Sequence, residues 1–113
     1  MSSTAPSPAL ERLEKLLGTP RDGALLRFSL GMAHAGAGDA AKAIVYFRQA
    51  VAKDPGYSAA WRALGKALEA AGLDAEALAA YRDGIAAAQK KGDKQAEKEM
   101  TVFARRIEKR RAG

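Results

Sequence analysis

The chain has 113 residues, a mass of 11.9 kDa and a formal charge of +6, from 19 Lys and Arg against 13 Asp and Glu. That length accommodates one domain of ordinary size, with a modest core. It contains no cysteine and a single histidine, which excludes disulfide frameworks, thiolate metal sites and cysteine nucleophiles and leaves most metal-hydrolase and acyl-transfer chemistry without its parts. Charged residues make up 28% of the chain, and no apolar run nears the roughly eighteen residues that a bilayer requires, so no membrane span is expected.

Alanine occurs 27 times, so the 48% hydrophobic fraction holds far fewer large side chains than it suggests. A core of small side chains works where elements approach closely, which favours packed helices. The opening MSSTAPSPAL lacks the basic and apolar regions of a secretory signal, and a cytoplasmic location is expected. Residues 1–6 are small, polar and proline-containing, a composition expected to be disordered.

Ser7 followed by Pro8 reads as a helix cap with proline in the first helical position. Leu10, Leu13 and Leu17 continue as an apolar stripe that Gly18 closes, predicting a helix over 7–18. Leu26, Leu30 and Ala33 then recur at helical spacing until Gly36-Ala37-Gly38 interrupts them. Gly38 suits the left-handed residue after a helix, and Asp39 suits the cap of the next. Ile44, Phe47 and Val51 line that next helix, which Asp54-Pro55 ends because proline disfavours a helical residue before it. The same order returns as Trp61, Leu64 and Leu68, then Gly72, Asp74 as cap, and Leu78, Tyr81 and Ile85. Finally Asp93 is placed to cap a helix running to about Arg111, with Ala96, Met100, Phe103 and Ile107 as its apolar face. The expected fold is all-α, with six helices and no strand.

Sliding the chain by 34 residues superposes Leu30 on Leu64, Gly31 on Gly65, Gly38 on Gly72 and Arg48 on Arg82, with Phe47 against Tyr81, and no gap. These residues resemble the tetratricopeptide repeat, whose pattern is W-x2-L-G-x2-Y, A-x3-F, A and P. Residues 24–57 carry Leu30, Gly31, Ala43, Phe47, Ala50 and Pro55 in the matching places, and depart at Arg27 and His34. Residues 58–91 carry Trp61, Leu64, Gly65 and Ala77, with Tyr81 for phenylalanine, and depart at Leu68, Gly84 and Gln89. Residues 93–111 put Gln95, Lys98 and Glu99 where tryptophan, leucine and glycine belong, and resemble a terminal capping helix. The resemblance implies an α-solenoid of antiparallel helix pairs with flanking N- and C-terminal helices. In it Gly31 and Gly65 let backbones cross, and Trp61 fills the interhelical core. A chain with two repeats, where about three are normally needed, is expected to depend on its flanking helices.

The resemblance further implies a non-catalytic protein-binding module, an adaptor, co-chaperone-like protein or assembly factor, whose first helix in each pair lines a concave face. Opposite the buried stripes, that face carries Leu25, Phe28, Met32 and Ala35, then Ala59, Arg62, Lys66 and Glu69. Phe28 and Met32 are placed to anchor an apolar side chain, and Arg62 and Lys66 to meet an acidic group. The competing reading is that the N-terminal helix folds over Leu25, Phe28 and Met32. Some family members hold a peptide's terminal carboxylate with lysine, asparagine and arginine. This sequence has no asparagine, so that set is incomplete.

The basic excess is local. Residues 90–113 hold nine Lys and Arg against four Asp and Glu, and the rest hold ten against nine. Arg105, Arg106, Lys109 and Arg110 are a candidate patch for phosphates or an acidic protein surface. The competing reading is a solvated helix end whose cations favour the macrodipole. An alternative role follows from this patch, a nucleic-acid-associated protein, although aromatic residues for base stacking are lacking apart from Phe103. Another is a homodimeric assembly element. His34 falls where the family has tyrosine, and a packed, hydrogen-bonded ring is expected. No cofactor site, metal site or catalytic fingerprint is read from the sequence.

Overall fold

The computed structural model describes residues 7–113, and the disorder expected for residues 1–6 lies outside them. Among the described residues there are six helices and no strand: α1 (Pro8–Glu14), α2 (Ala24–Gly36), α3 (Ala40–Lys53), α4 (Ser58–Ala70), α5 (Asp74–Lys91) and α6 (Lys94–Ala112). Helices α2 and α3 form one antiparallel pair and α4 and α5 the next, α4 docking on α3. Helix α6 packs on α5 and along α4, in the place the first helix of a third pair would take.

Local chemistry explains the boundaries. The Ser7 hydroxyl accepts from the Leu10 amide, and Asp39 and Asp93 cap α3 and α6 by accepting from the Lys42 and Ala96 amides, each at 3.1 Å. Gly38 and Gly72 turn the chain at φ of 80° and 77°, in the left-handed region that glycine enters without strain. Asp54-Pro55 stops α3 at Lys53. The equivalent of Pro55 in the second unit is Gln89, which can continue a helix. Accordingly α5 has 18 residues where α3 has 14, about one extra turn.

The packing is built on glycine under an aromatic ring. A β-carbon on Gly31 would overlap the ring of Phe47, and one on Gly65 would overlap the ring of Tyr81. Both rings are fully buried, above Ala43 and Ala77 respectively in the same core. Gly84 supplies a third close approach that the family pattern does not anticipate. A β-carbon there would meet the Met100 side chain of α6 and, at 2.7 Å, Cβ of Trp61. Met100 and Ile107 of α6 are fully buried, so the last helix completes the core.

Four expectations are corrected. Helix α1 ends at Glu14, four residues before Gly18, because the chain tightens there into turns in which Leu16 and Leu17 donate to the carbonyls of Leu13 and Glu14. No residue of α1 is buried. Asp74 is the first residue of α5, with Leu73 at the cap position, and its carboxylate accepts from Arg110 instead. Trp61 is only partly buried: its indole N–H donates to the Pro55 carbonyl at 2.8 Å, which holds the ring at the α3–α4 turn beside the core. His34 is buried but is held by stacking on Tyr46, with ring centroids 5.5 Å apart, and no side-chain hydrogen bond to it is formed among the described residues.

Arg27 stands where Trp61 stands in the second unit, and its charge is balanced rather than exposed. Its guanidinium grips Asp22 through two hydrogen bonds of 2.9 and 2.6 Å and donates to Gln49 at 2.7 Å. Asp22 also accepts from the Gly18 amide, which ties the α1–α2 connection to α2. The Arg27 hydrogen bonds, with that of Gly18, lower the Asp22 carboxyl to about 2.

Candidate functional site

A groove of about 450 Å³ runs between α2 and α4. Phe28, Met32 and Ala35 of α2 form one wall, and Ala59, Ala63 and Ala70 of α4 the other. Phe47 and Ala67, both buried, contribute from the core below, and Gly38 and Ala40 border it at the α2–α3 turn. The opening exists because so many of these positions are alanine or glycine: larger side chains would fill it. Arg62 and Lys66, one turn apart on α4, are the only charged groups of the lining among the described residues.

Of the concave-face residues named from the sequence, the structure brings Phe28, Met32, Ala35, Ala59, Arg62 and Lys66 to this groove and leaves Leu25 and Glu69 out. Phe28 is partly buried, its ring 5.0 Å from Tyr57 and 5.9 Å from Phe47. Met32 is 50% exposed, so the N-terminal helix does not cover it. Leu25 is 67% exposed and lies a turn before the groove begins, where Phe28 meets Tyr57. Glu69 lies on the same face of α4, a turn beyond Lys66 and outside the groove lining, and is engaged with α5 and α6. It accepts from the Tyr81 hydroxyl at 2.7 Å and from Arg110 at 3.2 Å. Burial, followed by the Glu69 hydrogen bond, raises the Tyr81 phenol well above its ordinary value.

Both cations of the groove also face α6. Arg62 donates to Glu99 at 2.6 Å, and the Lys66 ammonium lies 4.8 Å from the centre of the Phe103 ring. The basic patch is divided by the same packing. Arg110 bridges Asp74 and Glu69, which raises its own affinity for the proton, and Arg106 covers the other contact of the Phe103 ring at 5.2 Å. All four side chains of the patch are exposed, and among the described residues Arg105 and Lys109 form no ion pair. Sequence reasoning named Ala35 and Ala59 but missed Ala63, Ala67 and Ala70 and the Glu99 and Phe103 contacts. The missed alanines had a signal, small residues at Ala59, Ala63, Ala67 and Ala70 along one face; the contacts depend on how α6 seats on α4.

Tandem antiparallel helix pairs that cross at glycine, with a groove between their first helices, define a helical-repeat scaffold. Models of the tetratricopeptide repeat match residues 34–97 and, separately, residues 7–58. The chain belongs to the tetratricopeptide repeat family. It is 51% identical over 102 residues to TPR repeat-containing protein PA0015 of Pseudomonas aeruginosa, across 90% of this chain and 97% of that protein. The solution structure of protein BPP2914 from Bordetella parapertussis is similar with a TM-score of 0.78 and 41% identity, over 99% of this chain and 93% of that one. A tetratricopeptide repeat domain protein of Salinibacter ruber, also solved in solution, gives 0.72 at 27% identity, over 79% and 89%. Repeats of this family generally mediate protein–protein interactions, and the proteins built from them are typically non-enzymatic. Among the described residues no helix is long and apolar enough to cross a membrane.

Proposed function

We propose that this protein is a non-catalytic adaptor or assembly factor that binds a peptide or a helix of a partner protein in the groove between α2 and α4. The observation that carries the reading is the groove itself: an alanine-walled opening with Phe28 and Met32 on one side and two cations, Arg62 and Lys66, along the other. Apolar surface with a few placed polar groups is the usual make-up of a binding cleft. Phe28 and Met32 take an apolar side chain, and Arg62 and Lys66 orient an acidic one. Leu25 and Glu69 drop out of the proposed site. Action in the cytoplasm belongs to the same proposal and is checked by cell fractionation.

The test is a peptide-display selection on the intact protein, followed by titration of the selected peptides. Selected sequences should pair a large apolar residue with an acidic one. Ala63→Leu, which fills the groove, and Met32→Glu, which makes it acidic, should each weaken binding at least tenfold while the thermal melt stays in place. Selected peptides indifferent to both substitutions would show that this groove is not the binding surface.

The split basic patch favours this reading over a nucleic-acid-associated one. Two of its four members, Arg106 and Arg110, are engaged within the fold. Weak retention on heparin and on DNA at physiological salt is the expected outcome.

A further inference from the structure

The groove's two cations are already in use, and the helix using them shows what they accept. Arg62 and Lys66 are spaced i, i+4 on α4, and Glu99 and Phe103 are spaced i, i+4 on α6. The contacts run in step, Arg62 to Glu99 at 2.6 Å and Lys66 to the Phe103 ring at 4.8 Å. Residues at this spacing lie one above the other on a helix face, so the cationic edge of α4 matches the rise of a helix laid alongside it. An extended chain, whose same-side residues are about 6.6 Å apart against roughly 6 Å for four residues of helix, comes close to that spacing, so what favours a helix here is α6 itself, which meets both cations at once.

Arg62 stands between two clefts. It lines the groove and also a smaller opening shared with Ser58, Asp93, Ala96 and Glu99. Its guanidinium has five N–H donors in a fixed fork, of which the contact with Glu99 uses one. Both side chains of that pair are about a third exposed, so solvent and a competing carboxylate can reach it. Among the described residues Lys66 forms no ion pair, its charge resting only against the Phe103 face. An acidic group entering the groove therefore meets one free cation and one that is neutralised by Glu99, whose own charge repels it.

We propose that the groove takes an amphipathic helix bearing acidic residues beside its apolar stripe, and that Glu99 of α6 competes with those residues for Arg62. The proposal rests on the groove being the binding surface and adds the partner's chemistry and an internal control on affinity. Phe28, Met32 and the alanine walls receive the apolar stripe. Glu99 keeps the Arg62 charge from attracting acidic segments indiscriminately, and a partner must fill the apolar part of the groove to outbid it.

The experiment uses two fluorescein-labelled helical peptides, one with leucine at every third or fourth position and glutamate flanking, the other identical with glutamine for glutamate. Each is titrated by anisotropy against the intact protein, Glu99→Gln, Glu99→Asp and Arg62→Gln, with a thermal melt of every variant. The glutamate peptide should bind the unmodified protein more tightly than its glutamine counterpart. Glu99→Gln should tighten only the glutamate peptide, by about two- to fivefold, the range an exposed ion pair commands. That gain should fade as salt is added. Glu99→Asp, which keeps the charge, should give little gain. Arg62→Gln should narrow the difference between the peptides to the part that Lys66 supplies, and adding Glu99→Gln to Arg62→Gln should give none of the tightening seen when Arg62 is present. Equal tightening of both peptides, or of neither, by Glu99→Gln overturns the competition while leaving the groove intact as a binding surface. A bound glutamate peptide without helical circular dichroism overturns the helix assignment. Binding of neither peptide by any form, or binding that Ala63→Leu leaves unchanged, removes the groove reading and this inference with it.

Discussion

Replacing Gly65 with alanine adds one methyl group, and the structure says where it goes. The new carbon would overlap three atoms of the Tyr81 ring, which is fully buried and therefore has no free space to retreat into. The Tyr81 hydroxyl is in addition held by Glu69 at 2.7 Å. Overpacking of a filled core costs about 1–3 kcal/mol, and a rigid, anchored ring places this site at the upper end. Alanine recovers roughly 1 kcal/mol in helix propensity over glycine. The net is a loss of about 1–2 kcal/mol, or roughly 5–15 °C in the midpoint of a domain this size. Thermal melts followed by circular dichroism measure it. The origin is checked by repeating Gly65→Ala in a Tyr81→Leu background, where the smaller side chain should absorb much of the cost and leave a coupling of about 1 kcal/mol or more. A Gly65→Ala protein as stable as the parent, or additive behaviour in the double variant, would refute the account of how the paired helices cross.

Trp61→Ala should cost about 2–3 kcal/mol, below the roughly 3–5 kcal/mol of a fully buried aromatic, because the indole is only partly buried. A melt unchanged by it would deny the ring any packing role. Deleting residues 96–113 uncovers the core that Met100 and Ile107 complete, so the shortened chain should lose its cooperative melt and elute as aggregate in size exclusion; a soluble chain with a sharp transition would show that two pairs suffice. The Asp22 carboxyl is held at about 2 in the folded protein, below its ordinary 3.8, so its contribution is present above about pH 4 and lost as the pH falls toward 2. Asp22→Asn should therefore lower the neutral-pH midpoint, with a gap to the parent that closes over that acid interval. A gap independent of pH would assign the effect to something other than the Arg27 pair.

The sequence by itself determined the helices and their order. Apolar spacing, capping residues such as Asp39 and Asp93, and the turn glycines Gly38 and Gly72 act within a few residues of one another, and a repeat of 34 residues exposes the shared positions Gly31 and Gly65. Those signals are local or periodic, which is why they survive without coordinates. The tertiary structure alone decided how far Trp61 is buried, that Asp74 serves Arg110 rather than an amide, and that Gly84 makes room for Met100. It also decided which exposed residues share a groove: Phe28 and Met32 meet Arg62 and Lys66 across two helices, while Leu25 and Glu69, read from the same faces, fall outside. Each of these depends on residues tens of positions apart and on the angle at which helices rotate against each other. One sequence carries a helix's periodicity plainly, but the facing of one helix toward another is set only when the core closes.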